Sequence, residues 1–151
     1  MTGTTWTARV RAGTDGPARA QTRGHDLLSD SPLGLGRRDR HPSSLDLLLA
    51  ALGSDLVLRL QAELGRTGLE VQSLELSLRA ELEDPLAALG VRGAEGSPAL
   101  AGVSGSCYLT GFLDEGEDET ATACWQAASR TSPLLQTLRR ACPVNIELKL
   151  I

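Results

Sequence analysis

Aromatic side chains are scarce in this sequence: one Phe, one Tyr and two Trp in 151 residues. Aliphatic packing, mostly leucine, must therefore fill the interior. Cysteine is sparse as well, with Cys107, Cys124 and Cys142 forming an odd set that lacks zinc-ligand spacing. Three such thiols do not make a disulfide framework, and a reducing compartment would keep them free. The amino end, MTGTTWTARVRAG, has no basic start, apolar stretch and small-residue cleavage site in sequence, so the expected location is the cytoplasm. Long apolar runs are missing too. The longest, Leu45 to Leu60, is broken by Asp46, Asp55 and Arg59 and is too short to span a bilayer, so no membrane partner is expected. Positive charge is in deficit, with 15 Lys and Arg against 19 Asp and Glu. A net charge of −4 offers no field for collecting phosphates, which argues against nucleic acid as a partner. Two histidines are too few to infer a metal site, and no cofactor is implied. Gly34-Leu35-Gly36 lacks the strand-to-helix setting of a phosphate loop.

What is present suits a single α+β domain over residues 1–151, long enough to bury a sizeable core. Trp6, Ala8 and Val10 alternate with polar neighbours, the period of a strand with one face buried. A turn at Thr14 to Pro17, a second strand over Ala18 to Thr22 and a third over His25 to Ser29 complete a small antiparallel sheet. Asp30 to Pro42, rich in Gly, Pro and charge, is expected to be an exposed connection. A serine N-cap and Asp46 then open a long helix that Gly65 or Gly68 would stop. Its first half is apolar on nearly every side, so sheets or a second subunit must cover it, and dimerisation is the simple way for a chain this small.

The next strand is expected over Leu69 to Glu83, with Leu74, Leu76, Leu78, Ala80 and Leu82 inward and a bulge near Gln72 and Ser73 to bring Leu69 and Val71 into phase. Beyond a link from Asp84 to Pro98, residues Ala101, Val103, Gly105, Cys107, Leu109, Gly111 and Leu113 share a face of another long strand. A second helix over about Glu117 to Ser129, a helical turn over Pro133 to Arg140 and a last strand starting at Cys142 complete the chain.

The segment His41-Pro42-Ser43-Ser44-Leu45-Asp46, followed by LLLAALGS and then Asp55, resembles the GPSPxELLLAALGSC stretch of the OsmC/Ohr family, the osmotically inducible and organic hydroperoxide resistance proteins. Upstream, GHDLLSDSP (Gly24 to Pro32) resembles the family's lead-in, and the order of elements also matches. The resemblance implies an intertwined homodimer in which antiparallel sheets wrap the long buried central helix. It also implies chemistry, because peroxidase members use two cysteines: one thiolate attacks the peroxide and a second thiol resolves the sulfenic acid. Asp55 stands where the first belongs. For the second, Cys142-Pro143-Val144 is an obvious match to the family's CPVSxTL. However, that motif follows the second helix directly, which places Ser132-Pro133-Leu134 in its register, with Thr137-Leu138 as the T-L pair. Both family cysteines are then replaced. Neither aspartate nor serine can be regenerated by thiol exchange, so no catalytic residue of the family route remains.

The pocket candidates are Asp46, Asp55, Arg59 and Ser132. Asp46 matches a family glutamate that pairs with an arginine, here one of Arg19, Arg23, Arg37, Arg38 or Arg40, or else it complements the helix amino end. Asp55 either pairs with Arg59 one turn on as a structural remnant or faces a dimer-interface pocket, where a buried acid could hold a cationic or hydrogen-bonding ligand; the pocket as a whole is expected to bind a small, largely apolar molecule or to have only a structural role. Two enzymatic alternatives remain at this stage. One is a thiol peroxidase using a nonfamily cysteine. The other is a hydrolase built from Ser132, Asp55 and His25 or His41, although Ser132 lacks a nucleophile-elbow motif and serves equally well as a helix cap.

Overall fold

The computed structural model describes residues 4–31 and 39–151, and the chain divides into two compact units, residues 1–48 and 49–151. Arg37, Arg38 and the Gly34-Leu35-Gly36 segment lie outside the described residues.

In the first unit, β1 (Arg9–Arg11), β2 (Ala18–Thr22) and β3 (His25–Ser29) form an antiparallel meander. Arg23 (φ 46°) and Gly24 (φ 83°) turn β2 into β3, both in the left-handed region that a tight two-residue hairpin needs. The register aligns Val10, Ala20 and Leu27 on one face and Arg9, Gln21 and Asp26 on the other. The strand expected to begin near Trp6 starts only at Arg9, and its apolar face is not buried: Trp6 is 75% and Val10 62% exposed. None of the described residues of this unit is buried, so alternation wrote a face for which this unit supplies no cover. Asp30 ties the ends of the following connection. Its N–H donates to the Pro42 carbonyl, and its carboxylate accepts from the N–H groups of Arg40 and His41.

Helix α1 (Ser44–Thr67) opens on a reciprocal cap. The Ser43 hydroxyl accepts from the Asp46 N–H at 3.2 Å, and the Asp46 carboxylate accepts from the Ser43 N–H at 2.8 Å and its hydroxyl at 2.7 Å. The helix runs through Gly65 and stops at Gly68, whose φ of +74° suits a glycine end cap.

In the second unit, Leu52, Leu56, Leu60 and Leu64, every fourth residue of α1, are buried in the core. They share that core with the inner face of a sheet in the order β4 (Ser73–Leu82), β5 (Leu100–Thr110), β6 (Val144–Leu150), which contributes Val103, Cys107 and Leu109. Helices α3 (Glu117–Thr131) and α4 (Pro133–Leu138) add Ala121, Trp125, Ala128 and Leu135.

The α+β class holds, with four differences of detail. No bulge occurs at Gln72 and Ser73. The strand begins at Ser73, and Leu69 and Val71 reach the core from the preceding turn. The irregularity instead lies between Glu81 and Leu82, where Glu81 pairs with Gly102 and Leu82 with Leu100, so that Ala101 is exposed and Leu100 packs inward in its place. A short α2 (Pro85–Ala88) occupies the link, and its signal was present in Asp84-Pro85, an N-cap acid before proline. Finally, β6 begins at Val144 rather than Cys142 and runs parallel to β5, because the α3–α4 crossover returns the chain to the same end of the sheet.

Only one side of α1 is covered. Ala50, Ala51, Ser54 and Leu58 are exposed, Leu58 by 63%. No helix of the described residues is long and apolar enough to cross a membrane.

Candidate functional site

The middle of α1 meets the α3–α4 junction through three side chains. Proline at 133 disfavours helical backbone in the residue before it, and Ser132 is extended (φ −73°, ψ 112°), ending α3 and capping α4. Its hydroxyl accepts from the Leu135 N–H at 3.0 Å and donates to Asp55 Oδ2 at 2.5 Å. The other carboxylate oxygen, Oδ1, accepts from Arg59 Nε at 2.7 Å, one helical turn along α1. Ser132 is fully buried, and the side chains of Asp55 and Arg59 retain 18% and 34% of their exposure. The serine–aspartate bond has the length of a charge-assisted O–H···O⁻ contact, a kind worth about 1.5–3 kcal/mol when a charged group is involved.

Asp55 and Ser132 are 77 residues apart in sequence, yet they are in direct contact. Cys142, the competing match for the second family position, lies in the bend before β6. The hydroxyl proton of Ser132 points to the carboxylate with no imidazole between them, so Ser132 is not arranged as a base-activated nucleophile. Asp46 sits at the amino-terminal cap of α1. Its carboxylate is engaged by Ser43, and the hydroxyl and N–H of Ser43 hold it below the usual carboxylate range. That contribution to stability is present at neutral pH and is lost as pH falls through the lowered pKa. Among the described residues no arginine forms an ion pair with Asp46. Arg19 instead pairs with Asp26 across the β2–β3 hairpin at 2.6 Å.

All three cysteines are free and buried. Cys107 is enclosed in β5, and burial pushes its thiol up to about 11. Cys124 and Cys142 are 5% and 8% exposed. Among the described residues no sulfur hydrogen-bonds to Asp55, and the nearest polar partner of Cys124 is Thr67 Oγ1 at 4.0 Å. A thiol without thiolate character or access is a poor nucleophile. Native protein at pH 7.5 should therefore react with iodoacetamide at none of the three cysteines within minutes, whereas all three should react in guanidinium. Mass spectrometry showing prompt single-site labelling of the native chain would contradict this. Raising the pH above the ordinary thiol range should weaken the fold as Cys107 is drawn toward ionisation near its raised pKa, because the buried neutral form is the stabilising one.

A groove of about 430 Å³ lies between α1 and β4, lined by Leu49, Ala50, Gly53, Ser54, Val57, Leu76 and Leu78. It does not include the cluster: Asp55 is two residues past Gly53, about 200° around the helix. Among the described residues no three His, Cys, Asp or Glu side chains are grouped to hold a metal ion.

A family profile described as OsmC-like protein matches residues 36–147. No curated protein matches the sequence significantly. Solved structures show the same fold at low identity. The OsmC-like protein of Mycoplasma pneumoniae matches at 11% identity over 98% of both chains with a TM-score of 0.78. An organic hydroperoxide resistance protein OsmC of Legionella pneumophila matches at 19% identity over 97% of both chains (TM-score 0.68). The organic hydroperoxide resistance protein OhrB of Bacillus subtilis matches at 18% identity over 97% of this chain and 98% of its own (TM-score 0.65). With the profile spanning most of its length, this chain belongs to the OsmC-like protein family.

Proposed function

We propose that this single-domain OsmC-like protein of the peroxide and stress-response family has lost thiol-peroxidase activity and acts in the cytoplasm as a homodimer whose interface pocket binds a small apolar molecule. The observation that carries the reading is the hydrogen bond from Ser132 to Asp55. It joins the two positions that the family resemblance assigns to the reacting and resolving thiols, and it does so with groups that cannot pass through a sulfenic acid. The buried cysteines supply no substitute.

Homodimerisation is supported by what one copy leaves bare. The first unit has an apolar face at Val10, Ala20 and Leu27 but no buried residue among those described, and a three-stranded sheet needs a covered face to be stable. The strip of Ala50, Ala51, Ser54 and Leu58 on α1 is likewise open. A second copy would cover both, and the subunit interface so formed is where an apolar ligand would lie.

The experiment is to follow consumption of cumene hydroperoxide with dithiothreitol, comparing the wild type with a variant in which Cys107, Cys124 and Cys142 are all serine. Equal, background rates are expected. Turnover that disappears in the triple variant would establish the rival reading, a peroxidase working through a nonfamily cysteine. Sedimentation of the same wild-type sample should give twice the mass of one chain, and a monomer at micromolar concentration would remove the interface on which the pocket depends.

A further inference from the structure

Asp55 and Arg59 differ in how much of their bonding capacity the fold consumes. Both carboxylate oxygens of Asp55 are engaged, Oδ1 by Arg59 Nε and Oδ2 by the fully buried Ser132 hydroxyl. A guanidinium has five N–H donors and no acceptor. Arg59 commits its Nε–H to Asp55, and no acceptor among the described residues meets its four Nη hydrogens. Arg59 is also the outermost of the three, with 34% of its side chain exposed against 18% for Asp55.

The cluster therefore presents to a ligand the terminal edge of a guanidinium whose other edge is fixed by an acid, itself fixed by a buried hydroxyl. The ion pair brings Asp55 and Arg59 to zero net charge, so the face does not favour a cation. What remains unsatisfied is a planar pair of donors, the complement of a carboxylate held by two parallel hydrogen bonds. On the row of α1 after Arg59, the carboxylate of Glu63 is taken by Arg66, and the other neighbours are apolar. Ala51 lies one turn before Asp55 on the same row of α1, Ala62 lies three residues after Arg59, and Leu58, beside them, is 63% exposed.

We propose that Arg59 is a ligand-binding residue and that the small molecule taken by this protein is an aliphatic carboxylate, its headgroup on the Nη edge of Arg59 and its chain along Ala51, Leu58 and Ala62. The assignment rests on the binding reading above and names the chemistry of its ligand. Asp55 and Ser132 are positioning residues in it: they aim the guanidinium and do not touch the ligand.

Full-length protein titrated by calorimetry with octanoate, 1-octanol and octylammonium separates the cases, since the three probes share a chain and differ in the headgroup. Octanoate should bind most tightly, and Arg59→Gln should weaken it about tenfold or more, as expected for losing hydrogen bonds to a charged group, while leaving octanol unchanged. Arg59→Lys keeps a cation beside Asp55 but lacks the fork, and should recover only part of the octanoate affinity. It also serves should Arg59→Gln fail to fold. Equal affinity for octanoate and octanol, a preference for octylammonium, or octanoate binding indifferent to both variants would overturn the carboxylate assignment while leaving an apolar binder in place. No binding of any probe would overturn both readings.

Discussion

Ser132→Ala should lower unfolding stability by about 2–4 kcal/mol, the sum of a lost helix cap and a carboxylate oxygen left without its buried donor. In a chain of this size that is a drop in Tm of about 5–15 °C. Few single-atom deletions outside the leucine core should cost as much. Two groups share the Ser132 oxygen: it caps Leu135 at the start of α4 and donates to Asp55 in the middle of α1, whose other carboxylate oxygen holds Arg59. The design of the test follows from that sharing. In an Asp55→Ala background the same Ser132→Ala change should cost only the cap, about 1 kcal/mol, and the difference between the two backgrounds measures the coupling. Denaturant unfolding at fixed protomer concentration is the appropriate readout, because a dimer's apparent stability depends on concentration. Equal costs in the two backgrounds would mean that the contact between Ser132 and Asp55 contributes nothing and that the serine is a cap alone.

The second large effect is a gain. The double variant Asp55→Cys, Ser132→Cys should consume organic hydroperoxide with a dithiol reductant at rates well above the wild-type background, and should form an internal disulfide when oxidised. The positions already meet across 77 residues of sequence, at a separation set by a hydrogen bond. Arg59, one turn beyond position 55 and now in contact with the side chain there, would favour a thiolate at that position. In the expected cycle the thiolate at 55 takes the terminal peroxide oxygen and releases the alcohol. The thiol at 132 then displaces hydroxide, which leaves as water, from the resulting sulfenic acid, and the dithiol reduces the disulfide back to two thiols. Either single cysteine variant should lack the disulfide. A folded double variant with no disulfide and no turnover would show that the surroundings of the two positions, and not only the thiols, have departed from peroxidase geometry.

Much of the fold was legible in the sequence because its signals are local. The antiparallel meander follows from period-two alternation and turn residues, and β2 and β3 run over the residues expected of them. The limits of α1 follow from the Ser43–Asp46 cap and from Gly68. The signal weakened where long-range pairing decides. The bulge at Glu81 and Leu82 turns Leu100 inward in place of Ala101, which alternation within β5 could not show, since the slip belongs to the pairing of two strands. The parallel course of β6 likewise depends on where α3 and α4 carry the chain. Trp6 and Val10 have the pattern of a buried face and are exposed, because a pattern records that a face needs cover and not which surface provides it.

By itself, then, the sequence determined the class and the order of the elements, and it places an acid at position 55 and a serine at position 132 along motifs that resemble the family's. It also carried the pairing of Asp55 with Arg59, which needs only helical spacing. The contact of Ser132 with Asp55 was decided by tertiary structure alone. No periodicity or propensity links residues 77 apart; packing of the α3–α4 junction against α1 brings them together. The same contact leaves Arg59, rather than Asp55, as the group with free donors at the surface. A sequence lists which side chains could bind a ligand, but which of them still has hydrogen-bonding capacity to give is fixed only once the fold has used the rest.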